Sequence, residues 1–271
     1  MPEISKYLEN IFSLEGKVIL ATGSAGGIGS EMCKGMAAAG GTVAICDLDF
    51  DAAQTLADEI INLGGKAKAY SLNVSDKGSI KKCTDDVLAD FGYVDVLANV
   101  AGINKREGLL DVDEDTYDRI MNVNLKGTFL VSQEVVKHMI ARGKGGSVIN
   151  IGSHNDEAML AGCSVYGATK SGVVALTRSM AIEWAKHNIR ANAISPGHIL
   201  TALSQVTWDH PTRSTYLRER IAMGRPGYPS ELVGLCILLA SDASSYMTGQ
   251  AYHIDGGCLC GGQPWDYDTK Y

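Results

Sequence analysis

Short β-branched runs and longer amphipathic stretches alternate along almost the whole chain. "KVILAT" (17–22), "TVAICD" (42–47), "AKAYSLNV" (67–74), "VDVLANV" (94–100), "GSVINIGS" (146–153), "IRANAIS" (189–195) and "QAYHID" (250–255) read as strands. Helical patterns occupy 28–40, 51–65, about 76–91 with Ser75 as cap, 114–142, 165–187 and 230–240. The Pro- and Gly-punctuated region 196–228 reads as one or two short helices. Strands this continuously apolar are covered on both faces, and helices between them allow parallel pairing. The pattern therefore predicts an α/β fold, a doubly wound parallel sheet with helices on both sides. No composition break or internal repeat divides residues 1–271, so one domain is expected.

Apolar residues make up 45% of the 271 and charged residues 20%, which is enough for a large core. A formal charge of −7 argues against nucleic acid or an anionic membrane surface as partner. No apolar run reaches the ~18 residues of a membrane span. The opening "MPEISKYLEN" has no apolar signal segment, so a soluble, cytoplasmic protein is expected. The seven cysteines are scattered through mostly apolar stretches and read as free thiols. Cys258 and Cys260 form C-x-C rather than a zinc spacing, and no protein-made metal site is expected.

"ATGSAGGIGSEM" follows the first strand and opens the first helix of the alternation. Gly23, Gly27 and Gly29 permit close approach of backbone to a ligand, and the helix N-terminus presents free N–H groups to a pyrophosphate. In this strand–loop–helix setting the loop points to a dinucleotide. Asp47 ends the second strand, where a carboxylate can accept hydrogen bonds from the adenosine ribose. It would repel a 2′-phosphate, and Leu48 and Asp49 offer no arginine to reverse that. NAD is therefore expected over NADP. A solvated loop aspartate is the plainer reading of the same residue.

"SVYGATK" (164–170) places a phenol and an ammonium one helical turn apart, on one face. A free phenol ionises near pH 10. A unit charge roughly 5 Å away contributes on the order of 3 kcal/mol, or about two pKa units. Lys170 could thereby bring Tyr166 into the range useful for proton transfer. The bland alternative is a packed ring beside a solvated lysine.

Taken together, "TGSAGGIG" (22–29), "NVAG" (99–102), "NVNLKG" (122–127), Ser153, "YGATK" (166–170), "SPG" (195–197) and "SSYMTGQAYHIDGG" (244–257) resemble the short-chain dehydrogenase/reductase family. The resemblance extends from Gly16 to Gly257. Two departures stand out: Val100 replaces the second Asn of N-N-A-G, and Asn73 replaces an Asp that commonly ends strand three.

The resemblance implies a Rossmann-type sheet of seven strands, a nicotinamide cofactor and a homotetramer. Tyr166 would be the general acid/base, with Lys170 tuning it and bonding the nicotinamide ribose. Ser153 would orient the substrate oxygen, and Asn124 would hold a water in a proton relay. Gly23, Ser24, Gly27, Ile28 and Gly29 would border the pyrophosphate. Asp47, Asn73, Val74, Asn99, Ala101 and Gly102 would line the cofactor from adenosine towards nicotinamide. Pro196, Gly197, Ile199 and Thr201 would close the nicotinamide end.

For the substrate pocket, Lys105 and Arg106 offer a cationic grip on a carboxylate, while His154 and His198 suit a hydroxylated substrate. "NAGINKR"-like loops also resemble the sugar-acid members of the family; here the stretch reads "NVAGINKR" (99–106). Lys105 and Arg106 read equally well as solvated loop charges, and His154 as an ordinary loop histidine. A small hydroxylated substrate, a sugar acid or deoxy sugar acid, is the primary expectation. A neutral polyol or a 3-oxoacyl carrier-protein substrate is the alternative. The aromatic tail "GGQPWDYDTKY" (261–271) suggests closure of a neighbouring subunit's site, or ordinary subunit packing.

Overall fold

The computed structural model describes residues 2–261. The tail at 262–271 lies outside the described residues, and with it the expectation that it closes a neighbouring site. Seven parallel strands form one sheet: β1 (Val18–Thr22), β2 (Thr42–Asp47), β3 (Lys66–Ser71), β4 (Val96–Asn99), β5 (Gly146–Ile151), β6 (Ile189–Pro196) and β7 (Ala251–Ile254). Their order is β3-β2-β1-β4-β5-β6-β7, with every neighbouring pair parallel. The order reverses between β1 and β4, which leaves a crevice at their carboxyl ends.

Alternate residues along each strand face opposite cores. Ile19 and Ala21 of β1 pack with α2 (Gly27–Ala38), α3 (Phe50–Asn62) and α10 (Val233–Ala240). Leu20 faces α4 (Lys77–Phe91), α6 (Thr128–Arg142) and α7 (Ser164–Trp184). That two-sided burial is why the strands read as unbroken apolar runs. A small third cluster of Trp208, Leu217 and Ile221 holds α8 (Gln205–Trp208) and α9 (Pro211–Arg220) over the crevice end.

One element was not expected, and two local expectations need correction. An amphipathic helix, α1 (Pro2–Phe12), occupies the N-terminus, where only the lack of a signal segment was legible. The cap of α4 is Asp76, whose side chain accepts from Gly78 N at 2.8 Å, and not Ser75. The helix expected over 114–142 is three pieces: α5 (Glu114–Met121), a π-helical segment at Asn122–Gly127, and α6. Among the described residues no helix is long and apolar enough to cross a membrane. All seven cysteines are free, five of them buried.

Candidate active site

The crevice is shaped first by β1 and β4. Thr22 pairs with Asn99 across the two strands, and its Oγ1 accepts from Val100 N at 3.2 Å and Ala101 N at 3.3 Å. Thr22 was not among the expected site residues, although it opens the glycine motif. A Cβ on Gly23 would lie 2.4 Å from Ala101 Cα, and its φ is +59°. Only glycine permits this approach. Ser24 is fully buried, its hydroxyl donating to Ala21 O at 2.9 Å. It closes the loop rather than presenting its hydroxyl to a ligand.

Helix α2 begins with Gly26 as its cap and no side-chain partner for its first N–H groups. A Cβ on Gly27 would meet only Thr201 Cγ2, at 3.9 Å, so the glycine loop comes close to Thr201 of the 197–201 loop. Gly27, Ile28 and Gly29 therefore offer backbone donors and a positive dipole end to a pyrophosphate. These residues fit a dinucleotide. Asp47 stands beside them, its Oδ2 accepting from Ala25 N at 2.9 Å and its Oδ1 from Asp49 N at 3.1 Å.

Three expected cofactor residues carry other duties. Asn99 donates through Nδ2 to Ser132 Oγ and Asn150 Oδ1, both at 2.8 Å, so its amide is committed to the sheet interior. Asn73 accepts Ser75 N on its Oδ1 at 3.0 Å, closing a local turn that leaves its amide nitrogen for a ligand. Val74 packs against Gly127, where a Cβ would come within 3.0 Å of Val74 Cγ2. The side chain of Val100, the departure from N-N-A-G, packs against the core. At the other wall, Gly197 lies against Asp255 and Ile199 is buried in the core beside Gly227.

Helix α7 brings Tyr166 and Lys170 together, with Lys170 Nζ 5.5 Å from the Tyr166 ring centroid. Lys170 is 3% exposed, and its ammonium donates to Ile151 O at 2.7 Å, at the end of β5. Burial depresses its pKa to about 8. Burial likewise pushes the Tyr166 hydroxyl above the ordinary phenol value, against the lowering expected from Lys170; the nearby Ser153 hydroxyl offsets part of this. Burial therefore favours the protonated phenol of Tyr166 in the protein alone.

Asn124 sits in the π-helical segment. Its Oδ1 accepts from Ile103 N at 2.8 Å, and its Nδ2 donates to Ile103 O at 2.9 Å and Thr169 Oγ1 at 3.2 Å. Through these bonds the side chain fixes the loop after β4. Asn124 Oδ1 and Lys170 Nζ each lie 3.5 Å from where a Cβ on Gly102 would sit. Glycine at 102 keeps that corner open.

The substrate-side residues separate into two kinds. Lys105 is neutralised by Glu107 at 2.6 Å and also donates to Thr116 Oγ1 at 3.2 Å. Arg106 donates to Thr207 Oγ1 at 2.9 Å, and among the described residues it has no carboxylate partner. His154 is buried with Nδ1 3.4 Å from Pro196 O, and its ring meets His198 edge-on at 4.4 Å. Burial pushes both imidazoles down, and for His198 the His154 ring and the Arg106 cation add to this, to about 3. Both histidines are therefore neutral hydrogen-bonding groups beside one uncompensated guanidinium. A hydroxylated anion suits that arrangement better than a cation or an alkyl chain does.

The family model described as enoyl-(acyl carrier protein) reductase matches residues 23–258. The chain belongs to the short-chain dehydrogenase/reductase family, and is an oxidoreductase of the type that acts on CH–OH groups with a nicotinamide cofactor. It is 40% identical over 248 residues to 2-dehydro-3-deoxy-D-gluconate 5-dehydrogenase from Escherichia coli (strain K12), covering 92% of this chain and 97% of that one. It is 41% identical over 246 residues to a 3-oxoacyl-[acyl-carrier-protein] reductase from Thermotoga maritima, covering 91% and 99%. A crystal structure of gluconate 5-dehydrogenase from Burkholderia cenocepacia J2315, in complex with NADP and tartrate, superposes with a TM-score of 0.90 at 37% identity, covering 93% of this chain and 99% of that one.

Proposed function

We propose that the protein interconverts a secondary alcohol and a ketone on a sugar acid or deoxy sugar acid, with NAD as its cofactor. One observation carries the substrate reading: among the described residues Arg106 has no carboxylate partner, while its neighbour Lys105 is neutralised by Glu107. A guanidinium beside the neutral, mutually packed His154 and His198 rings suits an anionic, hydroxylated ligand. The similarity to sugar-acid dehydrogenases supports this. The acyl reductase similarity is equally high in identity, but a thioester-linked acyl chain has no carboxylate for Arg106.

NAD supplies hydride exchange with the substrate carbon when bound. Ser153 holds the substrate oxygen, and Tyr166 gives that oxygen a proton in reduction or takes one in oxidation. Lys170 keeps positive charge behind Tyr166 and so eases phenolate formation once substrate is in place. With Tyr166 protonated at neutral pH, reduction finds the acid ready. Oxidation instead draws on the minor phenolate form and speeds up as pH rises. The preference for NAD rests on Asp47, whose charge opposes a 2′-phosphate. The deciding experiment is a rate survey with NAD and NADP against D-gluconate, 2-dehydro-3-deoxy-D-gluconate, D-threitol and sorbitol. Higher kcat/KM for the acids with NAD is expected. Faster turnover of the neutral polyols would overturn the sugar-acid reading.

A further inference from the structure

We propose that Asp156 is a positioning residue that holds the Ser153 hydroxyl in place by tying the 151–156 turn to β6 and β7. Its carboxylate is 3% exposed, and both oxygens are engaged. Oδ2 accepts from Ser195 Oγ, on β6, at 2.5 Å and lies 3.5 Å from Ser153 N. Oδ1 lies 2.9 Å from His253 Nε2, on β7. A carboxylate can only accept there, so His253 Nε2 carries the hydrogen. The main chain adds two further ties. Asp156 N donates to Ser153 O at 2.8 Å, and Ser171 Oγ, on α7, donates to Asp156 O at 3.0 Å.

The turn carrying Ser153 is therefore gripped from two sides. Lys170 holds Ile151 O on one, and Asp156 holds the far end on the other. Gly152 is what lets the grip close: a Cβ there would come within 2.4 Å of Ser195 Oγ and 2.9 Å of Asp156 Oδ2. Donor atoms of Asp156, Glu157 and His253 gather within 4.8 Å. The Asp156 oxygens and His253 Nε2 are already engaged with each other and with Ser195, which makes this a hydrogen-bond hub rather than a cation cage. Asp156 touches neither substrate nor cofactor in this scheme; it acts through Ser153. The inference rests on the reading of Ser153 as the residue that holds the substrate oxygen.

Small displacements of a reacting group can cost up to about a hundredfold in rate. Oxidation of D-gluconate with NAD is measured for wild type, Asp156→Asn, Ser153→Ala and the double variant, with NAD affinity measured by fluorescence. Asp156→Asn is expected to lower kcat by roughly ten- to thirtyfold with NAD affinity unchanged, and to cost less than about twofold more once Ser153 is Ala. His253→Gln, which keeps a donor, is expected to retain most of the wild-type rate, whereas His253→Leu should match Asp156→Asn. Equal losses from Asp156→Asn in the wild-type and Ser153→Ala backgrounds would overturn the proposal, since a purely structural role is additive. If Asp156→Asn does not fold, His253→Leu in the two backgrounds makes the same decision. A Ser153→Ala variant with full turnover would instead refute the underlying reading of the site.

Discussion

At the scale of single residues, the ammonium of Lys170 sets function against stability. A pKa of about 8 in the folded chain, against about 10.4 unfolded, means that the buried charge costs about 3 kcal/mol at neutral pH. Between these two values the unfolded chain binds more protons, so this contribution to stability rises with pH and is complete above the unfolded value. Lys170→Met should therefore gain most in melting temperature, relative to wild type, near pH 7. The gap should shrink between pH 8 and 10, and thermal denaturation across that range checks it. Arg106 gives a second residue-level test. A charge-assisted hydrogen bond contributes about 1.5–3 kcal/mol, so Arg106→Ala should raise KM for a sugar acid roughly ten- to a hundredfold and leave a neutral polyol nearly unchanged. Steady-state kinetics on gluconate and sorbitol separate these outcomes. Asp47→Ser should narrow the ratio of kcat/KM for NAD over NADP, measured on one substrate; an unchanged ratio would place Asp47 away from the ribose.

At the scale of elements, the glycine loop depends on one close approach. Gly23→Ala adds a Cβ at 2.4 Å from Ala101 Cα, in a left-handed conformation. Strain and overpacking together should cost at least ~2 kcal/mol, and a chain of this size should lose roughly 4–8 °C in melting temperature along with NAD affinity. Calorimetry and a cofactor titration measure both. The strand and helix pattern was legible because each strand is covered on both faces and each helix has one apolar side. The π-helical segment at Asn122–Gly127 was not, because its residues continue a helical hydrophobic pattern. One extra residue per turn shows only in the hydrogen bonds, and there it turns Asn124 onto Ile103. Ser75 was the expected cap of α4, but it is the Asp76 side chain that reaches Gly78 N.

At the scale of the molecule, the sheet order gathers the ends of β1, β4, β5 and β6 around one crevice. Motifs separated by up to nearly two thirds of the chain meet there, which is why Ser153, Tyr166 and Lys170 could be nominated together from family-like spacing. What spacing could not show is burial. The lysine charge was read as the effect that would set the Tyr166 pKa. In the fold both are desolvated, and desolvation sets the direction of each shift. Nor could it show Asp156, in the turn after β5, meeting His253 on β7, 97 residues away. The central claim is that this crevice moves a proton through Tyr166 while nicotinamide exchanges hydride. The most direct test is the initial rate of NADH formation from gluconate by Tyr166→Phe, at NAD concentrations where binding is shown to be intact. A loss of at least about a thousandfold relative to wild type is expected, since only the proton carrier is removed. A rate within a few-fold of wild type would contradict the account.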